Sequence, residues 1–245
     1  MSHVKLRGNQ PRREGPYPLG EIPWSAVLAI GKAVIHRVAV GLADITGDDF
    51  GHIFASAIGG THRLKPLGVA DVELEQCAWS VKTVKAEKPF SKKQIRLISG
   101  RNSPVFSQGF KDLFSDPAAT GRAVLEIWNA RVNEAHAEFD DLRIFVIIRN
   151  LATLEFLVME HEALRYDPQQ FTWTFNSNGN LIGRDVDSNV EKFTWQPSGS
   201  QFTIRQSIPS SATKFRITHH PQLIHSEAEV LQLAGYRDSW IEAVK

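Results

Sequence analysis

Pro66-Leu67-Gly68-Val69-Ala70-Asp71-Val72-Glu73-Leu74-Glu75-Gln76-Cys77-Ala78-Trp79-Ser80-Val81-Lys82 is the stretch that decides how this chain is read. Residues 69–74 and 77–84 are short runs rich in Val, Trp and Thr, parted by a polar corner at Glu75-Gln76, and they predict a β-hairpin. Side chains at i and i+2 of a strand share a face, so Ser80 and Lys82 point the same way, as do Asp71 and Glu73. A tight hairpin brings Asp71, separated from Ser80 by eight residues, close to both. A carboxylate holds a hard divalent ion through oxygen. Such an ion polarises a phosphate and acidifies a bound water, while an ammonium group orients that water or offsets developing negative charge. An acid and a lysine on adjacent strands are the elements that metal-dependent phosphodiester hydrolysis requires.

The chain on either side supplies an α/β frame. Residues 1–22 read as a mobile arm with Arg7, Arg12 and Arg13. Pro23 suits the first turn of a helix, and Val27, Ile30, Val34 and Val38 recur at helical spacing to about Leu42. Asp48 and Asp49 suit the first turn of a second helix, which Gly59-Gly60 ends. Beyond the hairpin, residues 94–98 predict a strand, and 99–104 a turn. Residues 120–139 predict an amphipathic helix with Val124, Trp128, Val132, Ala135 and Phe139 on one face. Two apolar runs, 143–149 and 154–160, predict strands covered on both faces. From 171 to 218 the pattern is antiparallel β, with a turn at Asn178-Gly179-Asn180. Ser226 with Glu229 forms a capping box for a last helix. The order predicts an α/β core with a central mixed sheet flanked by helices, elaborated by β-hairpins in the C-terminal third.

The segment Asp71, then Ser80-Val81-Lys82, resembles the PD-(D/E)xK nuclease motif in its S-x-K form. Ala70 stands where the motif has Pro, and Ser80 where it has its second acid. The blocks Phe50-Gly51-His52-Ile53-Phe54-Ala55, Trp79-Ser80-Val81-Lys82-Thr83 and Ile95-Arg96-Leu97-Ile98-Ser99-Gly100-Arg101-Asn102-Ser103 extend the resemblance to type II restriction endonucleases over residues 48–104; it is loose in the β-rich third. The family often has Glu where this chain has Gly51. The resemblance implies a restriction-endonuclease-like fold and one nuclease domain over 1–245, with an arm (1–22), a catalytic core (23–165) and a β-rich DNA-recognition part (166–245). It implies a sequence-specific, Mg2+-dependent endonuclease acting on double-stranded DNA, commonly as a homodimer. In it Asp71 is the metal ligand, Lys82 the catalytic lysine and Ser80 the degenerate acid position. Asp49 and Glu73 are the leading candidates for the missing carboxylate, with Asp48 and Glu87 behind them. A repair or nicking nuclease of the same fold and a catalytically inactive DNA-binding protein are the alternatives.

Charge is distributed unevenly. The chain has 28 Lys+Arg and 27 Asp+Glu, for a net +1 that gives no global sign of a nucleic-acid partner. Residues 80–102, however, hold seven cations (Lys82, Lys85, Lys88, Lys92, Lys93, Arg96, Arg101) against Glu87 alone, a net +6; the remaining 21 cations and 26 anions come to −5. A basic segment beside the proposed site suits a phosphate backbone. In the β-rich third, Asn178, Arg184, Gln196, Arg205 and Gln206 are side-chain types that read base edges, interleaved with aromatics. Arg101 and Asn102 are candidates for phosphate or base contact.

Other classes recede. One cysteine, Cys77, excludes an intramolecular disulfide framework and a Cys-rich zinc site. Glu160-His161-Glu162 and the His219-His220-His225 group lack a recognised ligand spacing. No phosphate-cradling Gly-rich motif occurs. The polar N-terminus has no signal-peptide pattern, and the apolar stretch 24–45 is too broken by charge to span a membrane. A cytoplasmic location in a prokaryotic cell is the expectation.

Overall fold

The computed structural model describes residues 15–223 and 226–241. Helices α1 (Trp24–Ala39) and α2 (Gly47–Ile58) come first, with Pro23 just before α1. Thr46 caps α2: its hydroxyl accepts from the Asp49 amide, and the Asp49 carboxylate accepts from the Thr46 amide. Strands β1 (Thr61–Leu67), β2 (Ala70–Leu74) and β3 (Cys77–Lys85) follow as an antiparallel meander. β1 was not expected from the sequence, because Pro66 cannot donate to a ladder; as an edge strand it tolerates one. At the β1–β2 turn, Gly68 has φ +59°, and a Cβ there would lie 2.0 Å from the Arg131 carbonyl oxygen. Only a residue without a side chain lets that turn sit so close to the helix behind it.

β4 (Gln94–Arg101) leaves for a second sheet, the short α3 (Pro104–Gln108) and the long α4 (Pro117–His136) follow, and β5 (Asp141–Asn150) returns parallel to β3. With β6 (Glu155–Glu162) and β11 (Thr213–Arg216), the first sheet has the order β1-β2-β3-β5-β6-β11, with β3 and β5 the parallel pair. The second sheet is antiparallel throughout, in the order β4-β10-β9-β8-β7, built from β7 (Phe171–Phe175), β8 (Leu181–Asp185), β9 (Glu191–Gln196) and β10 (Gln201–Ser207). The protein is therefore α/β with a mixed sheet of six strands. The β-rich third is not self-contained: β4 from the middle of the chain completes its sheet, and its own last strand, β11, joins the other one. A short α5 (Glu227–Leu233) begins at the expected Ser226–Glu229 capping box.

Two apolar cores lie on opposite faces of the mixed sheet. On one face α1 and α2 pack on Val72, Trp79, Val81, Phe145, Ile147, Phe156 and Val158. On the other, α4 and the second sheet bury Val124, Trp128, Val132, Trp195, Phe202 and Ile204 against Ala78, Ile144, Val146 and Leu157. Being covered on both sides, β5 and β6 are almost wholly buried, with apolar runs at their centres. One cover is thus a pair of helices, whereas the other is a helix together with a sheet.

Of the arm expected over 1–22, residues 1–14, with their three arginines, lie outside the described residues. The remainder is fastened to the sheet. The Gly15 amide donates to Asp141 Oδ2 at 2.9 Å and the Tyr17 hydroxyl to Glu160 Oε1 at 2.6 Å. Arg143, with a side chain only 2% exposed, donates to Asp141, to Glu160 and to the Tyr17 carbonyl oxygen. Burial pushes the Glu160 carboxyl up, opposed by Tyr17, Arg143 and the Trp79 indole N–H. Ionic and hydrogen-bonded partners let these charges sit inside the fold.

Candidate active site

The hairpin brings Asp71 and Lys82 together. Register pairs Val72 with Trp79, which sets Asp71 beside Ser80 on one face. Asp71 Oδ2 accepts three hydrogen bonds, from Ser80 Oγ at 3.1 Å, the Val81 amide at 2.9 Å and Lys82 Nζ at 3.4 Å. Oδ1 accepts none among the described residues. Ser80 is buried, and the Asp71 and Lys82 side chains are about a quarter exposed or less. Behind them Arg131 of α4 donates to the carbonyl oxygens of Ser99 and Gly68. Burial holds its guanidinium below its ordinary pKa, while the charges of Asp71 and Glu134 pull the other way.

Asp71, Val81 and Lys82 line a cleft of about 240 Å3 with Gly47, Asp48, Gly51, His62, Arg63, Leu64 and Pro66. The two leading candidates for a second carboxylate do not line it. Glu73 is ion-paired with Arg63. Asp49 closes the capping box with Thr46 and accepts from Arg37 at 2.9 Å; its carboxyl is held low first by the Thr46 hydrogen bonds, then by Arg37. Asp48, one position earlier in the same turn, does line the cleft. Glu87 borders a different cleft, of about 450 Å3, with Asp44, Lys85 and Arg149. Sequence reasoning passed over His52 and His62. Asp48 and His52 are four apart on α2, a spacing that could have signalled them, but His62 sits on the strand that Pro66 concealed.

The proposed DNA contacts fall into groups. Lys88, Lys92, Lys93 and Arg101 are exposed, and Lys85 is exposed but paired with Asp44 at 2.6 Å. Arg96, Arg184 and Arg205 gather around one acidic spot on the second sheet. Arg96 donates to Thr194 Oγ1, Thr194 donates to Glu191, and Arg205 donates to Glu191 at 2.7 Å, with Arg184 3.9 Å away. Burial would raise the Glu191 carboxyl, but Arg205 outweighs it and holds it low. Gln196 and Gln206 are half-exposed on the same sheet, and Asn178 is exposed in the β7–β8 turn. Asn102 is the exception. It is fully buried, with its side-chain amide donating to Val124 O at 2.9 Å and its backbone carbonyl oxygen accepting from the Trp195 indole at 2.7 Å. That placement leaves it no surface for a phosphate or base, and its work is to join β4 to α4 and β9.

Among the described residues no helix is long and apolar enough to cross a membrane. No protein-family model, curated protein or solved structure matches this chain.

Proposed function

We propose that this protein is a divalent-metal-dependent, sequence-specific endonuclease of double-stranded DNA, with the restriction-endonuclease-like fold and a homodimeric assembly in which two sites cut two strands. The observation that carries the reading is the convergence of Asp71 and Lys82 at the mouth of a cleft, on a β-hairpin whose second strand is followed, through α4, by a parallel strand. The donor set fits a hard ion in part: Asp71 presents a free Oδ1, and Asp48 adds a second carboxylate on the same cleft. Bound there, Mg2+ would supply charge to the phosphate and a more acidic water.

The chain's own residues do the rest. Ser80 and the Val81 amide fix the Asp71 carboxylate through Oδ2 and leave Oδ1 turned to other uses. Lys82 places a cation beside the reacting phosphate, where it orients the attacking water and offsets charge on the phosphoryl oxygens. The exposed lysines at 88, 92 and 93 hold the DNA backbone, and the arginine-rich face of the second sheet meets its bases.

One observation favours a second reading, a DNA-binding protein without cleavage: position 80 is a buried neutral hydroxyl, and Asp49 and Glu73 are engaged elsewhere. Purified protein incubated with long DNA and Mg2+ or Mn2+ separates the two. Discrete fragments, lost in Asp71→Ala and Lys82→Ala while DNA binding persists, are expected. Smears, nicks alone, or cleavage that survives both substitutions would overturn the assignment; retarded but intact DNA would favour the second reading.

A further inference from the structure

Three metal-ligating side chains converge at the rim of this cleft, none of them in the hairpin. Asp48 and His52 project from the same face of α2, and His62 reaches them from β1. One ligand atom from each lies within 4.8 Å of the others. Asp48 Oδ1 is 3.6 Å from His62 Nε2, and Asp48 Oδ2 is 3.8 Å from His52 Nε2. These separations are too long for hydrogen bonds. They are close to the roughly 3.4 Å between neighbouring ligand atoms that each sit about 2.1 Å from one tetrahedral ion. The imidazole rings are inclined to one another at 44° with centroids 4.1 Å apart, and neither makes a hydrogen bond to the Asp48 carboxylate.

His62 carries the argument furthest. Its side chain is 8% exposed, and its Nδ1 is buried without a partner. The nitrogen turned to Asp48 is the other one, Nε2, so the buried setting holds the ring in place while Nε2 is the atom offered to an ion. The ring also depends on its neighbour: a Cβ at Gly51 would lie 2.5 Å from His62 Nε2. Gly51 is thus a cradle for the imidazole, and any larger residue there would push the ring off Asp48.

We propose that Asp48, His52 and His62 bind a divalent transition-metal ion of the Mn2+, Co2+ or Zn2+ class. A carboxylate with two imidazoles suits these borderline ions, whereas Mg2+ and Ca2+ prefer all-oxygen sets. The site stands on its own geometry. Its bearing on cleavage rests on the nuclease reading, through the cleft that Asp48 and His62 share with Asp71 and Lys82.

The test measures binding without DNA, so its failure is distinct from a failure of the nuclease reading. The full-length, chelator-treated protein is titrated with Co2+, followed by visible absorption and calorimetry, with Mg2+ as competitor. Wild type is expected to bind one equivalent more than His52→Gln/His62→Gln, with nitrogen-ligand absorption bands that excess Mg2+ does not remove. Asp48→Asn should weaken binding at least tenfold. Gly51→Ala alters no ligand and should lose the same equivalent. His52 is half-exposed, so His52→Gln alone keeps the fold and serves if a variant at 62 or 51 does not. Equal Co2+ binding by wild type and the His52 variant, or displacement of Co2+ by equimolar Mg2+, would overturn the proposal.

Discussion

Ser80 Oγ donates to Asp71 Oδ2 across 3.1 Å, so the residue at the degenerate acid position steadies the first carboxylate. Removing the hydroxyl in Ser80→Ala should cost about 0.5–1.5 kcal/mol of stability and lower cleavage through a less fixed Asp71. Ser80→Asp should set two carboxylates side by side and raise the pKa of the pair. Its melting temperature is expected to fall in chelator and recover with millimolar Mg2+, more than in wild type. Thermal melts with and without the ion read this directly, and equal responses would mean that position 80 does not face the ion.

The exposed lysines at 88, 92 and 93 should set the salt dependence of DNA affinity. Each one that neutralises a phosphate adds about 0.9 to the slope of log K against log salt. Replacing all three by Ala should flatten the slope accordingly and weaken binding alike on all sequences. Fluorescence anisotropy at several salt concentrations makes the measurement; an unchanged slope would remove this loop from the interface.

Glu160→Ala strips a buried carboxylate from Arg143 and from the Tyr17 hydroxyl. Breaking one side of a buried ionic network costs about 3 kcal/mol, with Asp141 still holding the other side of the guanidinium. Urea unfolding should show the loss, and limited proteolysis should cut within residues 15–22, whose anchor is gone. Wild-type resistance in the variant would show that Asp141 and Gly15 suffice to hold the segment.

Acid stability should depend on Asp44. Lys85 first, then Arg149, hold its carboxyl at about 2, below the ordinary value of 3.8 for an aspartate. A lowered folded-state pKa contributes stability above the unfolded value that is lost as pH falls through the folded one. Wild type should therefore weaken as pH falls from 3.8 to about 2, and Asp44→Asn should weaken less steeply over that window. Asp49 and Glu191, also held low, keep part of the slope in both proteins. Unfolding midpoints across the window provide the check.

The sequence disclosed the hairpin, α4 and the apolar strands β5 and β6, because each rests on local periodicity or on a two-residue corner. The pairing of Asp71 with Lys82 follows from that hairpin alone. Distant pairings were hidden. Nothing near Thr213–Arg216 says that it will lie beside β6, and nothing near Gln94–Arg101 says that its partner is β10, a hundred residues on. Asn102 has the look of a surface polar residue until Val124 and Trp195 are brought to it. Asp49 has the acidity of a ligand but the position of a helix cap. The Asp48–His52–His62 group needs α2 and β1 to meet, and Pro66 obscured β1.

The exchange of strands between the sheets has a consequence for biosynthesis. β4 finds its ladder partner only when β10 has been made, and β6 finds β11 later still. A ribosome-bound chain ending near residue 165 holds Ile95 and Leu97 with no second sheet to cover them. Loop-closure entropy over such separations slows assembly, so the first two-thirds should rely on chaperones until the last strands emerge. The same stitching suits a split protein: fragments divided between β6 and β7 would each carry an incomplete sheet, and each would complete the other's.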